Sequence, residues 1–249
     1  WLDAGIEVEG PLVEDVEAAF LALWTEAGGE RFPVFPRPPA GTVAARLVTH
    51  EGLRDARTTE AYLELVRRAE RDLVLVNTFP IQKEIGRALE GALRRGVRLR
   101  ILLGNVRPSH GDDPTPFAGG ALRDLATQVV HGRVDDLVEA GAEVYEFGLG
   151  PLPGWESSLG RVRPHVHAKI VVVDGRLAVV GSANLDITAG YWDSEAMVLV
   201  EDEGVAGALG SRLDTLLATS YRMDRADPHW RSLAARRAWL ARHWPSIIG

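Results

Sequence analysis

The stretch His165-Val-His167-Ala-Lys169-Ile-Val-Val-Val-Asp174-Gly-Arg-Leu-Ala-Val-Val-Gly181-Ser182-Ala-Asn184 sets five polar groups, on His167, Lys169, Asp174, Ser182 and Asn184, around one hydrophobic strand. A plain core strand has no use for them. Alternation from Val166 to Asp174 puts His167, Lys169, Val171 and Val173 on one face and Val166, Ala168, Ile170 and Val172 on the other, so an imidazole and an ammonium project side by side. Asp174-Gly175 reads as a tight turn and Leu177 to Val180 as the returning strand. The loop Gly181-Ser182-Ala183-Asn184 then carries a hydroxyl and an amide back to the same end. An imidazole, with an unperturbed pKa of about 6.5, serves near neutral pH as acid, base or nucleophile. A fixed ammonium beside it suits the non-bridging oxygens of a phosphate, where charge reorganises during reaction. His165 and His167 also form a metal pair on paper, but Lys169 beside them and the lack of cysteines or carboxylates at ligand spacing speak against it. The constellation requires no metal and no other cofactor.

The spacing His-x-Lys-x4-Asp-x6-Gly-Ser-x-Asn over His167, Lys169, Asp174, Gly181, Ser182 and Asn184 resembles the HKD motif of the phospholipase D superfamily, enzymes that cleave or exchange phosphodiesters. Six residue types at fixed offsets make this far more specific than a lone glycine pattern. The resemblance implies an α/β fold, a mixed β-sheet flanked by helices on both faces. It also implies metal-independent phosphodiesterase or phosphatidyltransferase chemistry. One histidine attacks phosphorus to give a phosphohistidine, a second protonates the leaving alcohol, and water or another alcohol completes the exchange. The catalytic set it implies is His167, Lys169, Ser182, Asn184 and Glu195, with Lys169, Ser182 and Asn184 also gripping substrate. Glu195 opens the strand Glu195-Ala-Met-Val-Leu-Val-Glu201, and superfamily members carry a glutamate shortly after Gly-Ser-x-Asn. It is therefore expected to hold the far nitrogen of the His167 imidazole. Asp174 is expected to be structural, at the turn. In two-motif members the upstream histidine is usually the nucleophile, which favours His167 as general acid and leaves the nucleophilic role open.

The chain holds one copy of the motif. Residues 1–27 read as the end of an upstream copy. A shift of 192 lays Asp3 on Glu195, Ile6 on Val198, Val8 on Val200, Glu9 on Glu201 and Val13 on Val205, each strand leading into an amphipathic helix. Asp3 would then support a histidine of that upstream half. The segment from Trp1 to Val13 and the later Phe20-Leu-Ala-Leu-Trp24 also resemble the region just after the first motif in cardiolipin synthases. An ordinary helix from Pro11 to Glu26, stopped at Gly28-Gly29 after a chance strand, explains the same residues. The chain opens on Trp1, without an initiator methionine or a targeting region, which fits a piece with something upstream removed or separate.

This reading divides the chain into three regions: 1–27 as the upstream remnant, 43–222 as the HKD domain, and 223–249 as a Trp- and Arg-rich helical tail. Hydrophobic periodicity within the domain predicts strands at Ala45–Thr49, Leu73–Asn77, Val97–Leu103 and Glu143–Phe147. It predicts helices at Thr59–Glu70, Gln82–Arg95 and Ala121–Ala140. On the first of these helices Tyr62, Leu63 and Val66 form the apolar stripe. The loops Gly104–Gly119 and Gly148–Pro164 are long and rich in Gly and Pro. The second carries Leu149, Leu152 and Trp155 and is expected either to form an apolar lip for acyl chains or to pack locally on itself. Asn77-Thr78-Phe79-Pro80, at a strand end, is expected to line the pocket.

With 249 residues, 46% hydrophobic, the chain supports one sizeable core, and no run approaches the length of a membrane-spanning helix. It is expected to be soluble or peripheral to a membrane, with its compartment open because a chain without cysteine tolerates either redox state. A net charge of −7 weakens a nucleic-acid role, although Lys169, Arg161 and Arg163 offer a local basic groove. In the tail, Trp230, Leu233, Leu240 and Trp244 among Arg231, Arg236, Arg237 and Arg242 suit either a helix at an anionic membrane surface or docking on the domain. The expected activity is cardiolipin synthase-like, acting on phospholipids, this chain supplying the second HKD half-site. Its partner is an upstream half, in the same or a separate chain, or a second copy. Alternatives are a homodimeric HKD nuclease and a catalytically incomplete binding half. One departure stands out: cardiolipin synthases commonly carry an Arg-Ser pair soon after Asn-x-Asp, whereas this chain reads Asn184-Leu-Asp186-Ile-Thr-Ala-Gly-Tyr191-Trp192-Asp-Ser-Glu195, which leaves headgroup and acceptor open.

Overall fold

The computed structural model describes residues 2–77, 81–103, 132, 134–147, 166–226 and positions 228, 231, 234 and 238. Its elements run α1 (Leu12–Glu26), β1 (Ala44–His50), α2 (Arg57–Arg68), β2 (Asp72–Asn77), α3 (Lys83–Arg94), β3 (Arg98–Leu103), β4 (Glu143–Glu146), β5 (Lys169–Val173), β6 (Leu177–Gly181), α4 (Ile187–Tyr191), β7 (Glu195–Glu201), α5 (Glu203–Ala218) and β8 (Tyr221–Arg222). Further helical turns cover 134–139.

Among the described residues the strands form one eight-stranded mixed sheet in the order β1-β7-β6-β5-β2-β3-β4-β8. Only β2 with β3 and β3 with β4 run parallel. The central strands are apolar on both faces because both faces are covered. Leu73, Leu75, Leu99, Ile101, Val171, Val173, Val179 and Met197 meet Tyr62, Leu65 and Val66 of α2, Ile85 and Leu89 of α3, and Val134 and Leu137. The alternate residues Val74, Val76, Leu102, Ile170, Val172 and Ala178 meet Ala206, Leu213 and Leu217 of α5. The mixed sheet with helices on both faces is thus the predicted architecture.

Element ends follow local chemistry. Helix α3 stops at Gly96, whose φ of 89° lets its N–H and that of Val97 close onto the carbonyls of Leu93 and Ala92. Asp202 caps α5, its carboxylate accepting from Val205 N at 2.8 Å. At the β5–β6 turn Asp174 takes a φ of 53°, and its side chain reaches across to β2, accepting from the N–H groups of Glu70, Arg71 and Asp72 at 2.8 to 2.9 Å. It sits at the far end of the hairpin from His167.

Two sequence expectations change in detail. The motif strand is shorter than Val166 to Asp174: regular pairing begins at Lys169, and Val166 instead bridges Leu2 in parallel. Helix α1 buries none of its residues, and Val16, Phe20, Leu23 and Trp24 stay exposed, with the Phe20 and Trp24 rings stacked at 6.2 Å. The loops 104–119 and 148–164, most of the helix expected at 121–140, and most of the tail lie outside the described residues.

Candidate active site

Strand pairing gathers His167, Lys169, Ser182 and Asn184 at one end of the central strands, with Asp174 at the other. Val76 faces Ile170 across β2 and β5, Lys169 faces Gly181 across β5 and β6, and Gly181 faces Met197 across β6 and β7. Glu195, two residues before Met197, pairs with His50 at the end of β1. Because Asn77, Lys169 and Glu195 each fall in step with residues of the α2 and α3 core, they leave the sheet on that same face.

His167 lies just before β5, where its N–H donates to the carbonyl of Leu2 at 2.8 Å. That pairing aligns Asp3 with the imidazole, and Asp3 Oδ2 stands 3.0 Å from His167 Nδ1. Slight burial pushes the Asp3 carboxyl up. The bond with His167, the N–H of Ala4 and the nearby Lys169 outweigh it and hold the carboxyl below its ordinary range. This corrects two expectations. The carboxylate on the His167 ring is Asp3, and Glu195, expected there, instead accepts a hydrogen bond from Ser182. Asp3, expected to serve a histidine elsewhere, stands beside the one in this chain. The physical reason is the strand bridge: Leu2 pairs with Val166, so the residue after it must lie beside His167.

Lys169 is buried, 3% exposed, with its ammonium donating to the His167 carbonyl. Burial lowers its pKa against the opposing pull of Asp3, Glu195 and Asp186. Burial likewise raises the carboxyl of Glu195, against the bond from Ser182. It also raises that of Asp186, which caps α4 by accepting from Ala189 N at 2.9 Å. Burial thus acts on all three groups in the same sense, disfavouring the charged form of each. Ser182 receives Ala196 N at 3.0 Å, and Asn184, half-buried, has its Oδ1 buried without a hydrogen-bond partner among the described residues. Asn77, expected to line the pocket, accepts from Leu185 N at 3.4 Å beneath the motif loop. Thr78 to Pro80, His165, Arg161, Arg163, Leu149, Leu152 and Trp155 lie outside the described residues.

The sequence reading missed Asp186 as a charged neighbour of Lys169, and it took Tyr62 for core alone. Asp186 had a signal, an acidic residue one step before a short helix. Tyr62 had none, because its spacing is that of any apolar stripe.

The model of the cardiolipin synthase, phospholipase D-like domain matches residues 62–217. The chain belongs to the phospholipase D superfamily. Among its relatives is cardiolipin synthase A of Pseudomonas aeruginosa (strain LESB58), 28% identical over 231 residues, covering 91% of this chain and 41% of that one. Cardiolipin synthase of Oceanobacillus iheyensis is 26% identical over 248 residues, covering 95% and 45%. The chain therefore spans less than half the length of these relatives. In fold, this phospholipase D domain resembles phosphatidylserine synthase of Haemophilus influenzae Rd KW20, with a TM-score of 0.59 at 15% identity, covering 92% of this chain and 51% of that one. It also resembles the phospholipase D family member Nuc of Salmonella typhimurium, with a TM-score of 0.51 at 13% identity, covering 73% and 99%. No helix among the described residues is long and apolar enough to cross a membrane.

Proposed function

We propose that this chain is one half of a phospholipase D-type active site that transfers or hydrolyses phosphatidyl groups, its second histidine coming from a partner half. The observation that carries this is the pairing of His167 with Asp3 across 164 residues of sequence. Asp3 matches Glu195 under the 192-residue shift, so the two carboxylates hold equivalent places in two repeats. If the carboxylate of the upstream repeat serves the histidine of this one, then Glu195 serves the histidine of the other. Each half completes the other's site.

A carboxylate on Nδ1 favours the tautomer protonated there and makes Nε2 the working nitrogen. In the first step the partner histidine attacks phosphorus, a P–N bond forms, the P–O bond to the leaving alcohol breaks, and His167 donates the proton that alcohol needs. In the second, His167 takes a proton from water or an acceptor alcohol as its oxygen attacks, forming a new P–O bond and breaking P–N. Lys169, Ser182 and Asn184 grip the non-bridging oxygens, and buried Lys169 does so where water screens least. The named relatives support a phospholipid as substrate, and the run after Asp186, which lacks the Arg-Ser pair, marks where the acceptor preference would differ.

The test uses the protein joined to its upstream half and presented with phosphatidylglycerol vesicles. Release of glycerol or exchange of the headgroup, lost on His167→Ala, supports the reading. Activity unchanged by His167→Ala would overturn it, and cleavage of plasmid DNA with no action on vesicles would replace the lipid reading by the nuclease one.

A further inference from the structure

The loop that carries Ser182 and Asn184 has no regular structure of its own, yet its backbone is held at three points. Ser182 N donates to Ala196 O at 2.9 Å, on β7. Leu185 donates through its N–H to Asn77 Oδ1 at 3.4 Å and accepts from Gln82 N at 2.7 Å, at the start of α3. Between them the hydroxyl of Tyr62, on α2, donates to the carbonyl of Ala183 at 2.7 Å. Tyr62 is 3% exposed, and its ring belongs to the core shared by α2 and the sheet, so the hydroxyl has little freedom to move. Farther along, Gln82 Nε2 donates to Thr59 Oγ1 at 3.1 Å, and Gly190 is packed so closely on both that an added Cβ would lie 2.8 Å from Thr59 and 2.9 Å from Gln82.

We propose that Tyr62 is a positioning residue for the phosphate grip, its hydroxyl fixing the Ala183 carbonyl and through it the directions of Ser182 and Asn184 on either side. A residue can be packed in a core through its ring alone, and phenylalanine would serve that purpose. The hydroxyl is spent on the carbonyl of the residue that lies between the two candidate phosphate donors. Removing it leaves a buried carbonyl without its partner, and the loop must turn to find another, carrying the Ser182 hydroxyl and the Asn184 amide with it. Glu195 lies close enough to help burial raise the Tyr62 pKa, which keeps the hydroxyl protonated as a donor. The proposal rests on the phosphate-binding role of Lys169, Ser182 and Asn184 in the proposed function.

The experiment is calorimetric titration of inorganic phosphate into the chain at pH 7, with thermal unfolding of every variant. The parent should bind phosphate and Lys169→Ala should abolish binding. Tyr62→Phe should weaken it about tenfold, the cost of losing about one hydrogen bond. Val173→Ala, a core truncation at the far end of β5, supplies a comparison of lowered melting temperature and should leave phosphate affinity unchanged. Parent-like affinity in Tyr62→Phe overturns the proposal while leaving the active-site reading intact. Equal weakening in Tyr62→Phe and Val173→Ala also overturns it, because the loss would then follow stability. Phosphate binding indifferent to Lys169→Ala, or no binding by the parent, removes the phosphate grip itself and this proposal with it.

Discussion

At the scale of single residues, the site contains two carboxylates under opposite influences. Asp3 is held ionised by its bond with His167, and Glu195 is pushed toward its neutral form by burial. Asp3→Asn keeps the shape and removes the charge, and in the joined enzyme it should lower kcat about 10- to 100-fold, the usual loss when the partner that orients a working histidine is altered. Steady-state kinetics on vesicles checks this, with KM moving less than kcat. For Glu195 the sign of the stability effect follows from proton counting. Its folded pKa lies above the ordinary 4.5, so over the interval between the two the folded chain holds a proton that the unfolded chain has released, and stability falls as pH rises through that interval. Glu195→Gln removes the penalty. The variant should melt at a higher temperature than the parent at pH 7 and at the same temperature near pH 4, while losing turnover. Asp174 offers a contrast, because its three bonds to backbone N–H groups hold parts of the chain about a hundred positions apart. Asp174→Ala should cost about 2 to 4 kcal/mol of stability, measured by denaturant unfolding, with phosphate affinity retained in the folded fraction.

At the scale of elements, the hairpin of β5 and β6 was readable because alternation, turn chemistry and motif spacing agree on it. The helices α2 and α3 were readable from their stripes, within two residues at either end. The mixed sheet order was not readable from periodicity, which reports which face is buried and says nothing about which strand lies alongside. The same blindness explains the exchange of roles between Asp3 and Glu195. Glu195 is nearer to His167 along the chain, but the partner of the imidazole is chosen by the bridge between Leu2 and Val166, a pairing that neither segment signals. Close approach between β6 and β7 also has no sequence signature beyond a glycine. A Cβ on Gly181 would lie 2.4 Å from the Ala196 carbonyl and 2.6 Å from Met197 Cα, both backbone atoms that cannot yield cheaply. Gly181→Ala should therefore destabilise the chain by about 1 to 3 kcal/mol and displace Ser182. Thermal melts and the calorimetric titration of phosphate together would register both effects.

At the scale of the whole molecule, the proposed reaction needs two histidines, and this chain supplies His167. The chain alone should bind inorganic phosphate yet release no alcohol from phosphatidylglycerol vesicles, and turnover should appear when the partner half is added. Native mass spectrometry against the 27.1 kDa chain would identify the complex that carries it. Helix α1 leaves Val16, Phe20, Leu23 and Trp24 uncovered, so the chain presents an apolar surface of its own beside the segment that bears Asp3. The bridge between Leu2 and Val166 has a further consequence, for the order in which the protein is made. Asp3 leaves the ribosome 164 positions ahead of His167. A nascent chain must keep the Asp3 segment available through all that time, at synthesis speeds of about 5 to 20 residues per second. The candidate site thus closes late, a built-in delay during which the growing polypeptide lacks the pairing of Asp3 with His167.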